Sequence, residues 1–270
     1  MGDDNKEWSC CNDEQSMFIF FYIAFVAVAL LTWKTIVAKP MRLMAVFLHE
    51  MSHATACWIT GGEVKQLAVY QNEGGVTRYI GGSRCMIIPA GYVGTSIWAM
   101  VFVIMSGGRI SATIAAIILT IALLIALCFA PNRTMVMLNM GYAVLTMGIL
   151  AIEWFVYTPV VQFLILFYGV TVGIFAIVDV YEDTVVRTVE GSDAYACYME
   201  VSGCCHPQCV GMQWALLTII FQGLGIWLAL VEMSEECQDA GWLECINMSV
   251  EWGDWGKDWN FDGFWDNVNR

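Results

Sequence analysis

The chain has 270 residues, of which 59% are hydrophobic and only 14% are charged, and its mean hydropathy is +0.63. A soluble protein of this size needs more polar side chains to cover its surface, so the composition indicates a polytopic membrane protein and excludes a soluble one. The formal net charge of −13 argues against a nucleic-acid partner, because an acidic chain and the phosphates repel each other.

The apolar residues occur in long runs, which predict membrane-spanning helices and exclude a transmembrane β-barrel. An acidic N-terminal segment, residues 1–16, lacks the basic region of a signal peptide, so we expect the first run to stay in the protein. Five later runs have a similar length, and a shorter run at 41–60 can form a seventh helix. The six long runs are 17–37, 85–105, 110–130, 135–152, 159–180 and 212–231. We therefore predict an all-α polytopic membrane protein with six or seven transmembrane helices over residues 17–231.

The run at 41–60 contains His49-Glu50-Met51-Ser52-His53, an HExxH motif. On a helix, His49 and His53 share one face and can bind one zinc ion, while Glu50 lies beside the metal as a general base. The bare motif also arises by chance. Here, however, two histidines and a glutamate interrupt an apolar run, where unpaired polar groups cost several kcal/mol, so we interpret them as a functional site.

The segment at 63–80 differs from the spans. Residues 63–70 partly alternate in polarity, a glycine pair follows at Gly74-Gly75, and a second short apolar stretch runs from Val76 to Ile80. This pattern predicts a small β-hairpin directly after the HExxH helix.

Several of these segments together resemble a known family. The first of them are the HExxH run, Thr60-Gly61-Gly62-Glu63-Val64, Gly74-Gly75-Val76-Thr77 and Pro89-Ala90-Gly91-Tyr92-Val93-Gly94. They look like the site-2-protease family of intramembrane zinc metalloproteases, in its peptidase M50B-like branch. Asp179-Val180-Tyr181-Glu182-Asp183 and Ser192-Asp193-Ala194 also look like that branch. The resemblance extends over roughly residues 41–194.

The resemblance implies a Zn²⁺ enzyme within the lipid bilayer, whose substrate is a membrane-anchored protein cut at an unwound transmembrane helix. It also implies a re-entrant hairpin beside the active site, and residues 63–80 occupy that place. A substrate strand can add to the edge of such a hairpin, so Val64, Leu67 and Val76 are the expected substrate-binding residues. A hairpin that only connects two helices is the alternative.

A catalytic zinc ion needs a third protein ligand. Classical members supply an aspartate from an Asp-Gly pair in an apolar helix, but the only such pair here, Asp262-Gly263, lies in the polar tail. Asp179 is the preferred candidate because it ends an apolar run, where a carboxylate needs a cation to stay ionised. Asp183 lies one helical turn further on, and Asp193 in the polar loop comes last. A carboxylate at a helix end without a metal is the alternative for Asp179.

The remaining segments are polar. The loop at 182–211 is rich in cysteine, and the tail at 232–270 is acidic and rich in tryptophan, which favours a flexible or partner-binding segment over an interfacial aromatic surface. Eight cysteines lie outside the apolar runs, and we expect disulfides rather than a second zinc site. They are Cys10, Cys11, Cys197, Cys204, Cys205, Cys209, Cys237 and Cys245. A span at 212–231 places the loop and the tail on opposite sides of the membrane, so both cannot be oxidised.

These observations predict an intramembrane zinc metalloendopeptidase with Glu50 as general base, His49 and His53 as ligands and Asp179 as third ligand. One alternative is a membrane regulatory protein that binds zinc without turnover, which the missing Asp-Gly pair in a helix makes conceivable. Another is a cation transporter or channel that uses the intramembrane carboxylates, although a permeation path does not require HExxH.

Overall fold

The computed structural model describes residues 13–156, 160–186, 191–202 and 206–234. These parts form eight α-helices and one two-stranded sheet. In chain order the elements are α1 (Asp13–Thr32), α2 (Lys39–Ile59), β1 (Glu63–Val69), β2 (Gly75–Ile80), α3 (Arg84–Met105), α4 (Arg109–Leu127), α5 (Arg133–Val156), α6 (Val161–Tyr181), α7 (Asp193–Cys197) and α8 (Pro207–Glu232). Short π-helical turns, Glu182–Val186 and Tyr198–Ser202, follow α6 and α7.

Six of the described helices, α1, α3, α4, α5, α6 and α8, are long and apolar enough to cross a bilayer. Each corresponds to one of the six apolar runs, so the predicted all-α polytopic membrane fold is confirmed. The seventh run forms α2, which is 21 residues long but carries the polar HExxH side chains and is not among the six. Most of α2 from Met44 to Ala54 is buried, so the helix lies inside the bundle rather than facing lipid.

α3 forms the centre of the bundle, since α2, α6 and α8 all pack against it. Small residues allow these helices to approach closely. A Cβ atom on Gly169 of α6 would lie 2.9 Å from the backbone nitrogen of Val103, and one on Gly94 of α3 would lie 2.5 Å from the side chain of Ser52. Helices in lipid associate through this kind of close packing, and it brings α2 directly onto α3.

The hairpin predicted after the HExxH helix is present. β1 and β2 pair antiparallel, with a register shift between Val64 and Gln66. The outer edge of β1 is covered, because the Leu67 N–H donates to the Phe129 carbonyl at 3.1 Å and the Asn132 side chain donates to the Val69 carbonyl at 3.0 Å. Among the described residues, no backbone hydrogen bond joins the outer edge of β2 to another segment.

The tip of the hairpin is anchored to α2. The Arg42 guanidinium donates two hydrogen bonds of 2.8 Å to the Glu73 carboxylate and also bonds the Trp33 carbonyl before α2. Glu73 itself has φ +67°, a left-handed conformation that costs a non-glycine residue free energy and is maintained here by the ion pair. The hairpin is therefore held over the face of α2 that carries the HExxH side chains.

Candidate metal centre

α2 places His49 and His53 one turn apart on the same face, as the motif requires, and their Nε2 atoms are 3.2 Å apart. A carboxylate from a distant part of the chain joins them. Asp193 Oδ2 lies 2.9 Å from His49 Nε2 and 3.0 Å from His53 Nε2. Asp193 is the first residue of α7, which packs against α3 and, through Ala194 and Cys197, against Val210 and Trp214 near the start of α8. These three side chains are the one group in the described part of the chain whose atoms can hold a metal ion.

The three ligand-type atoms fit a zinc ion. They form a nearly equilateral triangle with edges of 2.9, 3.0 and 3.2 Å. Ligands around a tetrahedral zinc ion are about 3.3 Å apart, because each lies about 2 Å from the metal. Two imidazoles and a carboxylate are also ligands that zinc accepts.

Gly91 of α3 leaves room for an ion at this triangle. A Cβ atom built on Gly91 would lie 2.4 Å from His49 Nε2, 2.5 Å from His53 Nε2 and 2.6 Å from Asp193 Oδ2. The point next to Gly91 is thus almost equally far from all three ligand atoms, and only the absence of a side chain keeps it empty of protein. We call this open space beside Gly91 the cradle, and it is the strongest sign that the three residues can hold a metal ion together.

Further contacts orient the candidate ligands. His53 Nδ1 lies 2.7 Å from the Ile87 carbonyl and donates its proton there, so Nε2 is the nitrogen that faces the triangle. The His49 ring packs edge-on against Tyr92, which stacks on Trp214 and donates a hydrogen bond of 2.9 Å to Asp183. His49 Nδ1 is buried with no partner among the described residues.

Asp193 is ionised at neutral pH. Burial raises the pKa of its carboxyl, but the charge of His53 and hydrogen bonds from both histidines outweigh burial and hold the pKa below its usual value. An ionised carboxylate is the form that binds a metal.

The structure does not bring Asp179 into this group. Asp179 lines the same cavity, and Asp183 bonds Tyr92, but the ligand atom near the histidines belongs to Asp193. Depth along one apolar helix favoured Asp179 as the third ligand. In the structure, however, the chain turns back after α6, and α7 returns Asp193 to α3 beside the histidines. Ser192-Asp193-Ala194, already part of the family resemblance, was the signal that pointed to it.

Glu50 is buried between α2 and the hairpin. Thr77 Oγ1 of β2 donates a hydrogen bond of 2.6 Å to Glu50 Oε2, and a Cβ atom on Gly75 would lie 2.2 Å from Glu50 Oε1. The carboxylate therefore packs directly on β2. Sequence reasoning named Glu50 but gave Thr77 no role, although Gly74-Gly75-Val76-Thr77 was already part of the family resemblance.

A polar cavity of about 840 Å³ connects the histidines, Glu50 and Asp193 with β2 and the end of α6. Of the three expected substrate-binding residues, Val76 lines this cavity and is 38% exposed. Val64 and Leu67 do not line it. They belong to β1, whose side chains there pack into the hydrophobic core, and their exposures are 4% and 0%.

The disulfide prediction can be assessed at Cys209, which is a free thiol. Cys197 is buried at the end of α7. The other six extramembrane cysteines, Cys10, Cys11, Cys204, Cys205, Cys237 and Cys245, lie outside the described residues, as do the acidic segment before residue 13 and the tail after residue 234.

Comparison with protein families agrees with this geometry. The family model described as Peptidase M50B-like matches residues 22–229, about three quarters of the chain. The chain belongs to the peptidase M50B-like family. Searches of curated proteins and of solved structures give no significant match. Membership of this family, together with the six apolar helices, makes the protein an integral, multi-pass membrane protein of a metalloprotease family in which zinc is the implied metal.

Proposed function

We propose that this M50B-like protein is an intramembrane zinc endopeptidase in which His49, His53 and Asp193 hold the metal. The observation that carries the proposal is the cradle at Gly91, where the three ligand atoms converge on a point that no side chain occupies. The family match supports the reaction class, peptide hydrolysis.

Zinc, when bound, supplies a Lewis acid that acidifies water and polarises a peptide carbonyl. Side chains and backbone groups of the protein carry out the remaining steps. Glu50 directly follows the ligand His49 on α2, and its carboxylate faces the same cavity. It accepts the proton of the attacking water and passes it to the leaving amine. Ile87, by bonding His53 Nδ1, keeps the ligand tautomer fixed during these transfers.

The substrate in this proposal is an extended segment of a membrane-anchored protein. The outer edge of β2 and the metal ligands face one cavity, whose volume of about 840 Å³ accommodates several residues of a peptide. Strand addition to β2 would satisfy the backbone groups of a transmembrane helix that has unwound for cleavage. Val76 is the one earlier candidate for substrate contact that this proposal keeps.

Metal content tests the proposal. We expect the purified wild-type protein to hold one zinc ion per chain, and His49→Ala or Asp193→Ala to lower the occupancy strongly. Asp179→Ala is the matched control, since Asp179 lines the cavity without joining the ligand triangle. Equal zinc content in Asp193→Ala and wild type, with loss in Asp179→Ala, would restore Asp179 as the third ligand.

The two non-enzymatic alternatives are tested by Glu50. A zinc-binding regulatory protein, a transporter or a channel has no need of a proton acceptor at this position. If Glu50→Gln leaves both zinc content and every measurable activity of the protein unchanged, the endopeptidase proposal fails while the metal site stands.

A further inference from the structure

The hydrogen bond that the Glu50 carboxylate accepts within the described part of the chain comes from β2. Thr77 Oγ1 is 2.6 Å from Glu50 Oε2 and 3.0 Å from the Glu50 carbonyl. A hydroxyl has one proton, and the carboxylate is the closer and the charged acceptor, so the hydrogen bond goes mainly to Oε2. Gly75 and Thr77 are two residues apart and share one face of the strand, which is the face that Glu50 touches.

The backbone of Thr77 has a second role. In the register of the hairpin, Thr77 is opposite Leu67. The Leu67 N–H donates to Phe129 and so points away from β2. Opposite residues of an antiparallel pair turn their backbone groups either both inward or both outward. The N–H and C=O groups of Thr77 therefore point to the outer edge of β2, where a substrate strand would add.

We propose that Thr77 is a positioning residue that joins substrate docking to the general base. Its backbone lies at the edge that receives the substrate strand, and its hydroxyl fixes the carboxylate of Glu50. Ordering of β2 by the substrate thus also orders Glu50. This inference rests on the proposed function, because it assigns Thr77 a part in the same peptidase reaction.

The role proposed for Thr77 predicts that loss of its hydroxyl slows turnover and leaves substrate binding intact. Thr77→Val keeps the shape and the backbone of the strand but removes the hydroxyl, so substrate docking should survive while the base loses its hydrogen bond. Thr77→Ser restores the hydroxyl. A purely structural threonine would instead affect zinc content or the binding step along with the rate.

The experiment uses the full-length zinc-loaded protein in detergent and dye-labelled casein, an unfolded chain that can add to a strand without unwinding first. We expect Thr77→Val to lower kcat by roughly ten- to a hundredfold, the loss that follows from removing one hydrogen bond to a charged group. The KM and the zinc content should stay near their wild-type values, and Thr77→Ser should recover most of the rate. Thr55→Val is the matched control, because Thr55 is exposed on α2 and its hydroxyl bonds the Met51 carbonyl of the same helix.

Two results would overturn the role of Thr77. One is a wild-type kcat in Thr77→Val while Glu50→Gln is inactive, and the other is a raised KM with an unchanged kcat. Failure of the proposed function looks different, since the wild type would then not cut casein, or Glu50→Gln would cut it normally.

A measurement without substrate tests the contact itself. In thermal unfolding, Thr77→Val and Glu50→Ala should together lower Tm by less than the sum of the two single changes, because each single change already breaks the same hydrogen bond. Additive losses in Tm would remove the contact, and with it the proposal.

Discussion

A carboxylate is buried at each end of the helical bundle, but the partners of the two carboxylates differ. Glu153, at the end of α5, is fully buried and accepts hydrogen bonds from Arg109 Nε at 3.0 Å and from the backbone N–H groups of Val160 and Val161 at 3.0 and 2.6 Å. The chain itself supplies these partners. At the candidate metal centre, His49, His53 and Asp193 instead face a point that Gly91 leaves free.

The contrast separates a buried charge whose partners the chain supplies from a cluster of charged and polar groups that faces an open point. Arg109 lies beyond the end of α3, and about 21 Å of that helix separates Gly91 from Met105, so the two sites do not share partners. Burial of a charge by itself indicates neither stability nor function, since a buried ion pair can serve packing alone. A cluster whose atoms converge on a point without a protein partner indicates a ligand.

The largest effect on zinc content should come from a side chain that fills the open point beside Gly91. Gly91→Ala places a methyl group within 2.4–2.6 Å of all three ligand atoms, so we expect zinc content to fall from about one ion per chain to nearly none. Gly148→Ala is the control, because nothing lies within 4 Å of a Cβ atom there. Metal analysis of the folded proteins checks this, and full zinc occupancy in Gly91→Ala would contradict the cradle.

The second prediction separates the base from the ligands. Glu50→Gln cannot take a proton from water but has nearly the same shape, so cleavage should fall by roughly 10²- to 10⁴-fold while zinc stays bound. Parallel zinc and casein-cleavage measurements give both readouts. Loss of zinc in this variant would mean that Glu50 supports the metal site rather than proton transfer.

At the other end of the bundle, a substitution should lower the stability of the protein and leave its zinc content unchanged. Glu153→Gln replaces an acceptor oxygen by an amide, so one of the donors from Arg109, Val160 or Val161 loses its acceptor, at a cost of about 1–3 kcal/mol in the free energy of unfolding. Thermal unfolding in detergent should show the lowered Tm, with normal zinc content in the folded fraction. Glu63→Gln is the control, since its exposed side chain should change Tm little. A wild-type Tm in Glu153→Gln would remove the structural assignment.

The smallest effect concerns the hairpin anchor. Arg42→Gln breaks the bidentate pair with Glu73, so the tip of the hairpin should loosen and the KM for casein should rise about three- to tenfold, with zinc unaffected. Lys65→Gln, which disrupts an exposed pair on β1, serves as the comparison. Equal KM values in the two variants would show that the anchor does not support docking.

Much of the fold follows from local patterns. The six apolar runs define the spanning helices because each run is long enough to cross the bilayer, and the turn at Gly74-Gly75 defines the hairpin. In the candidate site, the positions of His49, Glu50 and His53 can be predicted from the sequence because one helix sets their spacing. The position of Asp193 cannot be predicted in this way, because Asp193 is 144 residues from His49 and reaches the site only through the return of the chain after α6. The covered edge of β1 was equally hidden, since its partner Phe129 lies in another loop.

The outer edge of β2, which no described segment covers, has a consequence for water in the cavity. Unpaired backbone N–H and C=O groups cost several kcal/mol each in hydrocarbon, so a sheet edge can stay open within a membrane protein only where solvent reaches it. Gly75 and Thr77 line the cavity that contains Glu50, so the unpaired backbone groups of this edge require water in that cavity. In the proposed hydrolysis, the second reactant would then be present before a peptide binds, and a docked strand would displace only the water along the edge.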